Sequence, residues 1–139
     1  MLKLTDIRQW IAGMGLAADE RVYIGKLDNK QQKSIGIYER KGSGPPVTAL
    51  GGPSCTSYGV RQLSLLVHWS KSKPESEAAA WELFEKLKRV TSLSIGGAFV
   101  SGLILRVPEP VDVGTDDNGA YEYVIWLDLI VNKEGDGNT

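Results

Sequence analysis

Residues 58–90, YGVRQLSLLVHWSKSKPESEAAAWELFEKLKRV, constrain the fold more tightly than any other stretch of the chain. They read as a strand, a capped break and an amphipathic helix. Leu63, Leu65, Val67 and Trp69 occupy alternate positions, so the two-residue period of a strand puts them on one face. Gln62, Ser64 and His68 take the other face, with Leu66 as its one strong apolar residue. Ser72 stands three residues before Glu75, and Pro74 between them suits a first helical turn that has no use for its N–H. Ala80, Leu83, Phe84, Leu87 and Val90 then form a stripe at helical spacing. This unit is a scaffold: it holds apolar faces together and carries no reactive group.

The flanking segments extend that scaffold. Thr5 is placed to cap a first helix, with Asp6 near the positive end of its dipole, and Ile7, Trp10, Ile11 and Met14 share one face. Gly13 and Gly15 mark its end. Residues 21–27 and 33–40 read as two short strands around the turn residues Asp28, Asn29 and Lys30, which predicts an antiparallel hairpin. Residues 98–107 and 121–132 form a second pair, apolar on both faces, with Pro108 and Pro110 ending the first strand. The predicted order is α-β-β-β-α-β-β. This is an α+β chain, a two-layer sandwich with a mainly antiparallel sheet and both helices on one face. A single domain is expected over residues 1–132, followed by a flexible tail at 133–139.

Two segments break the pattern. Residues 41–57, KGSGPPVTALGGPSCTS, hold four Gly and three Pro in 17 residues and predict a long irregular excursion. Residues 108–120 form an acidic, Pro-rich loop closed by the turn signal Asp116-Asp117-Asn118-Gly119. Residues 91–97 are read as a plain connection.

Chemistry is sparse. The only histidine, His68, lies mid-strand and reads as a sheet-surface hydrogen-bonding residue, not a general base. The lone Cys55 forms no internal disulfide, suits a reducing compartment, and cannot build a structural zinc site with a single histidine. Asp112, Asp116 and Asp117 lack the spacing of a calcium loop and read as a solvated turn. Glu82 with Lys86 and Glu85 with Arg89 are the i,i+4 pairs of an exposed helix face. No catalytic, cofactor or metal site is expected. A net charge of −1 gives no general basic excess for nucleic-acid binding, and no run reaches the ~20 apolar residues of a membrane span.

Surplus apolar surface is the positive clue. Trp126 lies opposite the Ile125/Leu127/Leu129 face together with Val124 and Ile130, although only one face should meet the helices. Trp81 sits at the edge of its helical stripe, equally suited to covering the sheet margin and to a partner surface. A second buried layer supplied by oligomerisation would account for this excess.

The stretch GGPSCTSYGVRQLSLLVHWSKSKPESEAAAWELFEKL, residues 51–87, resembles the minor capsid or tail terminator proteins of long-tailed bacteriophages, chiefly those of Gram-positive hosts. The matching features are the Gly-Gly loop, the Ser57-Tyr58 strand entry, Leu65-Leu66-Val67-His68-Trp69 and the helix start at Glu77-Ala78-Ala79. Residues 107–125, VPEPVDVGTDDNGAYEYVI, resemble the family's Pro-rich turn and following strand. The resemblance implies a virion protein, made in the host cytoplasm, that assembles as a hexameric ring on the head-proximal end of the tail tube. Its partners would be the major tail tube protein and a head-connector or stopper protein, with DNA passing through the lumen without specific binding and no membrane contact. Another neck or head-closure role is the alternative within the same class; a small ligand-binding domain or enzyme using Cys55, His68 and Tyr58 is the alternative outside it. The subunit or partner interface candidates are Val47, Leu50, Tyr58, Trp81, Asp116, Asp117, Trp126 and Ile130.

Overall fold

The computed structural model describes residues 2–40 and 58–132, with the Tyr58 side chain outside the description. Residues 41–57, which include the interface candidates Val47 and Leu50, and the tail at 133–139 lie outside the described residues. The elements are α1 (Leu4–Ala12), β1 (Val22–Ile24), β2 (Ser34–Glu39), β3 (Tyr58–His68), α2 (Lys73–Lys88), β4 (Leu93–Ile95), β5 (Ala98–Leu105), β6 (Val111–Thr115) and β7 (Tyr121–Asn132). They build a seven-stranded mixed sheet, ordered β1-β2-β3-β7-β5-β4 with β6 also on β7. The chain is α+β.

The centre is the β3–β7 pair. Leu63 faces Leu127, Leu65 faces Ile125 and Val67 faces Tyr123. Alternation makes all six point the same way, and Leu63, Leu65, Ile125 and Leu127 are fully buried. Each such side chain contributes about 1.5–3 kcal/mol by leaving water. Helix α2 brings Leu83, Phe84 and Leu87 to this face, and α1 brings Ile7 and Ile11 to the same cluster. The α2 start is as the sequence predicts: Ser72 Oγ accepts the Glu75 N–H at 3.3 Å. The α1 start is not. Its cap position is Lys3, which offers no side-chain acceptor, and Thr5 lies inside the first turn.

Three departures from the expected order have physical causes. First, β1 and β2 are parallel, Val22 facing Ile35 and Ile24 facing Ile37, and not an antiparallel hairpin. A three-residue strand is only about 10 Å long, so the intervening segment returns along it without a crossover helix. The Asp28 turn does form, Asp28 Oδ1 accepting the Lys30 N–H at 3.0 Å, but it bends the loop and does not join the strands.

Second, residues 91–97 hold β4. Gly96 and Gly97, at φ 54° and 84°, make the two-residue turn into β5. A Cβ on Gly96 would lie 2.3 Å from Asp6 Cγ, so glycine is required there twice over. Third, the 108–120 loop contains β6. Strands β5 and β6 lie end to end on the same edge of β7, Leu105 facing Leu127 and Val111 facing Val124. Arg106 donates its N–H to Trp126 O at 2.8 Å, so five residues along one strand span two along β7. The excess bulges out at Pro108 and Pro110, where no ladder N–H is needed. The turn closing β6 onto β7 is as read from the sequence: Asp116 Oδ1 accepts the N–H groups of Asn118 and Ala120 at 3.0 and 2.9 Å.

The α2–sheet contact sets a first prediction. Leu83→Ala should lower the unfolding free energy by about 2–5 kcal/mol in urea, whereas Glu82→Ala on the solvated side should change it by less than about 0.5 kcal/mol.

Candidate functional site: the open sheet face

The helices cover one face of the sheet and leave the other partly bare. On the bare face Trp126 is 47% exposed, Ile104 on the neighbouring strand is 42% exposed, and Phe99 is 45% exposed. Ile130 is half-buried on the same face, next to Gly102, whose lack of a side chain leaves it room. Arg40 lies over the Trp126 ring, its guanidinium carbon 5.4 Å from the ring centroid.

A buried carboxylate organises these groups. Asp128 points to the bare face but is almost wholly enclosed, at 1% exposure. Arg106 Nε donates to its Oδ2 at 2.7 Å. Arg40 Nη1 lies 3.1 Å from Oδ1 as an ion pair without hydrogen-bond alignment, and also donates to the Leu63 and Leu127 carbonyls at 3.3 and 3.2 Å. One carboxylate thus holds two guanidinium groups, of which Arg40 lies against the tryptophan. Tryptophan and arginine supported from beneath are the side chains that dominate binding energy where protein surfaces meet. Asp128 shows itself in the sequence as one charge in an apolar strand, but Arg40 and Arg106 come from distant elements and carry no local signal.

Trp81 belongs elsewhere. It packs edge-on against Phe84, ring centroids 5.5 Å apart, on the helix side of the molecule. With Lys73, Val111 and Tyr123 it lines a shallow groove of about 320 Å³ beside the Pro108 bulge. Trp81 and Trp126 therefore serve two surfaces and not one. Lys73 ties α2 to β6 through Asp112 and sits 5.3 Å from the Tyr121 ring centroid. The hydrogen bond that Lys73 donates to Asp112 raises the Lys73 pKa, and the same bond, followed by the one from the Gly114 N–H, lowers that of Asp112.

Asp117 is exposed at the tip of the β6–β7 turn, as the sequence suggests. Asp116 is not the solvated residue expected. Its carboxylate turns inward, 11% exposed, towards His68. His68 donates Nδ1–H to Glu122 at 2.8 Å, which agrees with a hydrogen-bonding role, but it is fully buried and not on a sheet surface. The 116–120 turn meets the 28–33 loop beside it, through Asn118 Nδ2 donating to Asn29 O at 3.2 Å. For Tyr58, only the backbone pairing to Asn132 is described.

A sequence pattern characteristic of bacteriophage tail terminator proteins matches residues 1–133. The chain belongs to the bacteriophage tail terminator family. No curated protein matches it at a significant level. Family membership makes it a structural protein of a phage tail, one that associates with other tail or head components. Among the described residues, no helix of this tail terminator is long and apolar enough to cross a membrane.

Two predictions follow from these charges. Asp128→Ala should destabilise the protein by about 1–3 kcal/mol in urea, because it strands two guanidinium groups. The depressed pKa of Asp112 means its contribution is present above the unfolded-state pKa and is lost as pH falls through the folded-state value. A carboxylate NMR titration should find Asp112 below the ordinary range, and Lys73→Met should move its midpoint up.

Proposed function

We propose that this protein caps the head-proximal end of the tail tube, stops tube polymerisation and forms the joining surface to the head connector. In this reading the working form is a hexameric ring in the virion. One side of the ring meets the major tail tube protein, the other meets a connector or stopper protein, and DNA passes through the lumen without sequence-specific contact. Family membership over residues 1–133 carries the proposal. The bare sheet face supports it, since an exposed tryptophan braced by arginine is costly to leave in water and suited to a protein partner.

Trp126 and Ile130 are assigned to the contact between subunits. The exposed side of the 108–120 segment, with Asp117 at its tip and Val111 and Val113 on β6, is assigned to neighbouring tube or connector proteins. Trp81 beside it belongs to that second surface, and residues 41–57, with Val47 and Leu50, are assigned to the same contacts.

Phage assembled without the protein should show overlong tail tubes under the electron microscope. Normal-length tails beside leaky heads would instead make it a head-closure component. Complementation with Trp126→Ala should reduce joined particles at least tenfold while the isolated subunit keeps its thermal midpoint, because the exposed ring contributes little to the subunit's own core. Full complementation by Trp126→Ala would overturn the subunit-contact assignment.

A further inference from the structure

The His68 cluster is not explained by assembly. It joins β3, the start of β7 and the β6–β7 turn, and its three donor groups lie within 4.8 Å of one another. Glu122 is an acceptor when ionised, so the 2.8 Å contact puts the proton on His68 Nδ1 and leaves Nε2 as a lone pair. That lone pair faces Asp116 Oδ2 at 3.6 Å. Neither atom has a hydrogen-bond partner and both are buried. Two acceptors facing each other out of water are repulsive unless a positive centre lies between them. Among the described residues, neither Asp116 nor Glu122 pairs with a lysine or arginine, and His68 is the only cationic-type side chain that reaches either.

A proton and a metal ion are the two candidates for that centre, and the distance favours the ion. A charge-assisted N–H···O hydrogen bond spans about 2.7–2.9 Å, well short of the 3.6 Å found. Two ligand atoms, each ~2.1 Å from one ion at a tetrahedral angle, stand about 3.4 Å apart. The Glu122 contact is also the arrangement in which a carboxylate orients a metal-binding imidazole through its other nitrogen. The charges agree: two carboxylates and a neutral imidazole are balanced by a dication.

We propose that His68 Nε2 and Asp116 Oδ2 ligate a divalent transition-metal ion of the zinc class, with Glu122 holding the imidazole from behind and water completing the shell. Such an ion fastens the β6–β7 turn to the end of β3. It is a structural staple, independent of the terminator role.

The test uses the full-length protein, stripped with chelator and titrated with zinc alone. Zinc should raise the thermal midpoint and shift the Nε2 resonance of the single histidine in a ¹⁵N NMR spectrum. Asp116→Asn keeps the Oδ1 acceptor for the turn and should abolish both effects. Glu122→Gln should weaken zinc binding about 10–100-fold, and Asp112→Asn, outside the cluster, should leave it unchanged. An equal midpoint shift in wild type and Asp116→Asn would overturn the proposal. So would a proton on Nε2 at neutral pH in excess zinc, since the bridge would then be an imidazolium. The NMR result on the wild type decides the matter even if Asp116→Asn fails to fold.

Discussion

Everything in this molecule hangs on the pairing of β3 with β7. These two long strands put Leu63, Leu65, Ile125 and Leu127 side by side on one face, α2 docks on the apolar surface that results, and α1 joins the same core from β1 and β4. At roughly 3.4 Å per residue, β7 is about 40 Å long. That length lets its far edge take two strands in succession, β5 and then β6. The Pro108–Pro110 bulge between them breaks no necessary hydrogen bond, because the ladder resumes at Val111. A shorter β7 would leave β6 as a loop and Asp116 far from His68.

The two faces of the sheet are treated in opposite ways. The helix-covered face is apolar and closed. The other is divided: at one end Glu122 and Asp116 of the 116–120 turn close over His68, and at the other Trp126, Ile104 and Phe99 stay open. Asp128 governs the open end. Burying a carboxylate is costly, and Arg40 and Arg106 offset that cost by pairing with it. The same pairing immobilises Arg40 beside Trp126. A surface ordered in advance loses less entropy on binding than one that must be ordered by its partner. For the subunit contact proposed at Trp126, that lowers the cost of assembly.

Much of this was open to sequence reading because it depends on local period and local turn chemistry. The parity of β3 and β7, the stripe of α2, the Ser72 cap and the Asp116 turn all stand as the residues imply. The departures are of two kinds. Short strands such as β4 and β6 have too few residues for a period, although Gly96-Gly97 is itself a legible hairpin turn. The β1–β2 direction departs from the expected hairpin because adjacent strands with a polar turn between them default to antiparallel pairing, and a three-residue strand escapes that rule.

The candidate site divides along the same line. Trp126 and Ile130 could be placed on the second face from alternation alone, as could the presence of one charge at Asp128. The partners of that charge, and the enclosure of His68 by Glu122 and Asp116, could not, since those residues are brought together from separate elements. Likewise, alternation shows which side chains share a face but not which face a helix covers. Sequence by itself determined the longer elements, their apolar sides and the family, because each is written in spacing and motif over short stretches of chain. Tertiary structure alone decided strand partners, the bare face and the buried charge clusters, because burial and electrostatic pairing depend on which distant segments meet in space.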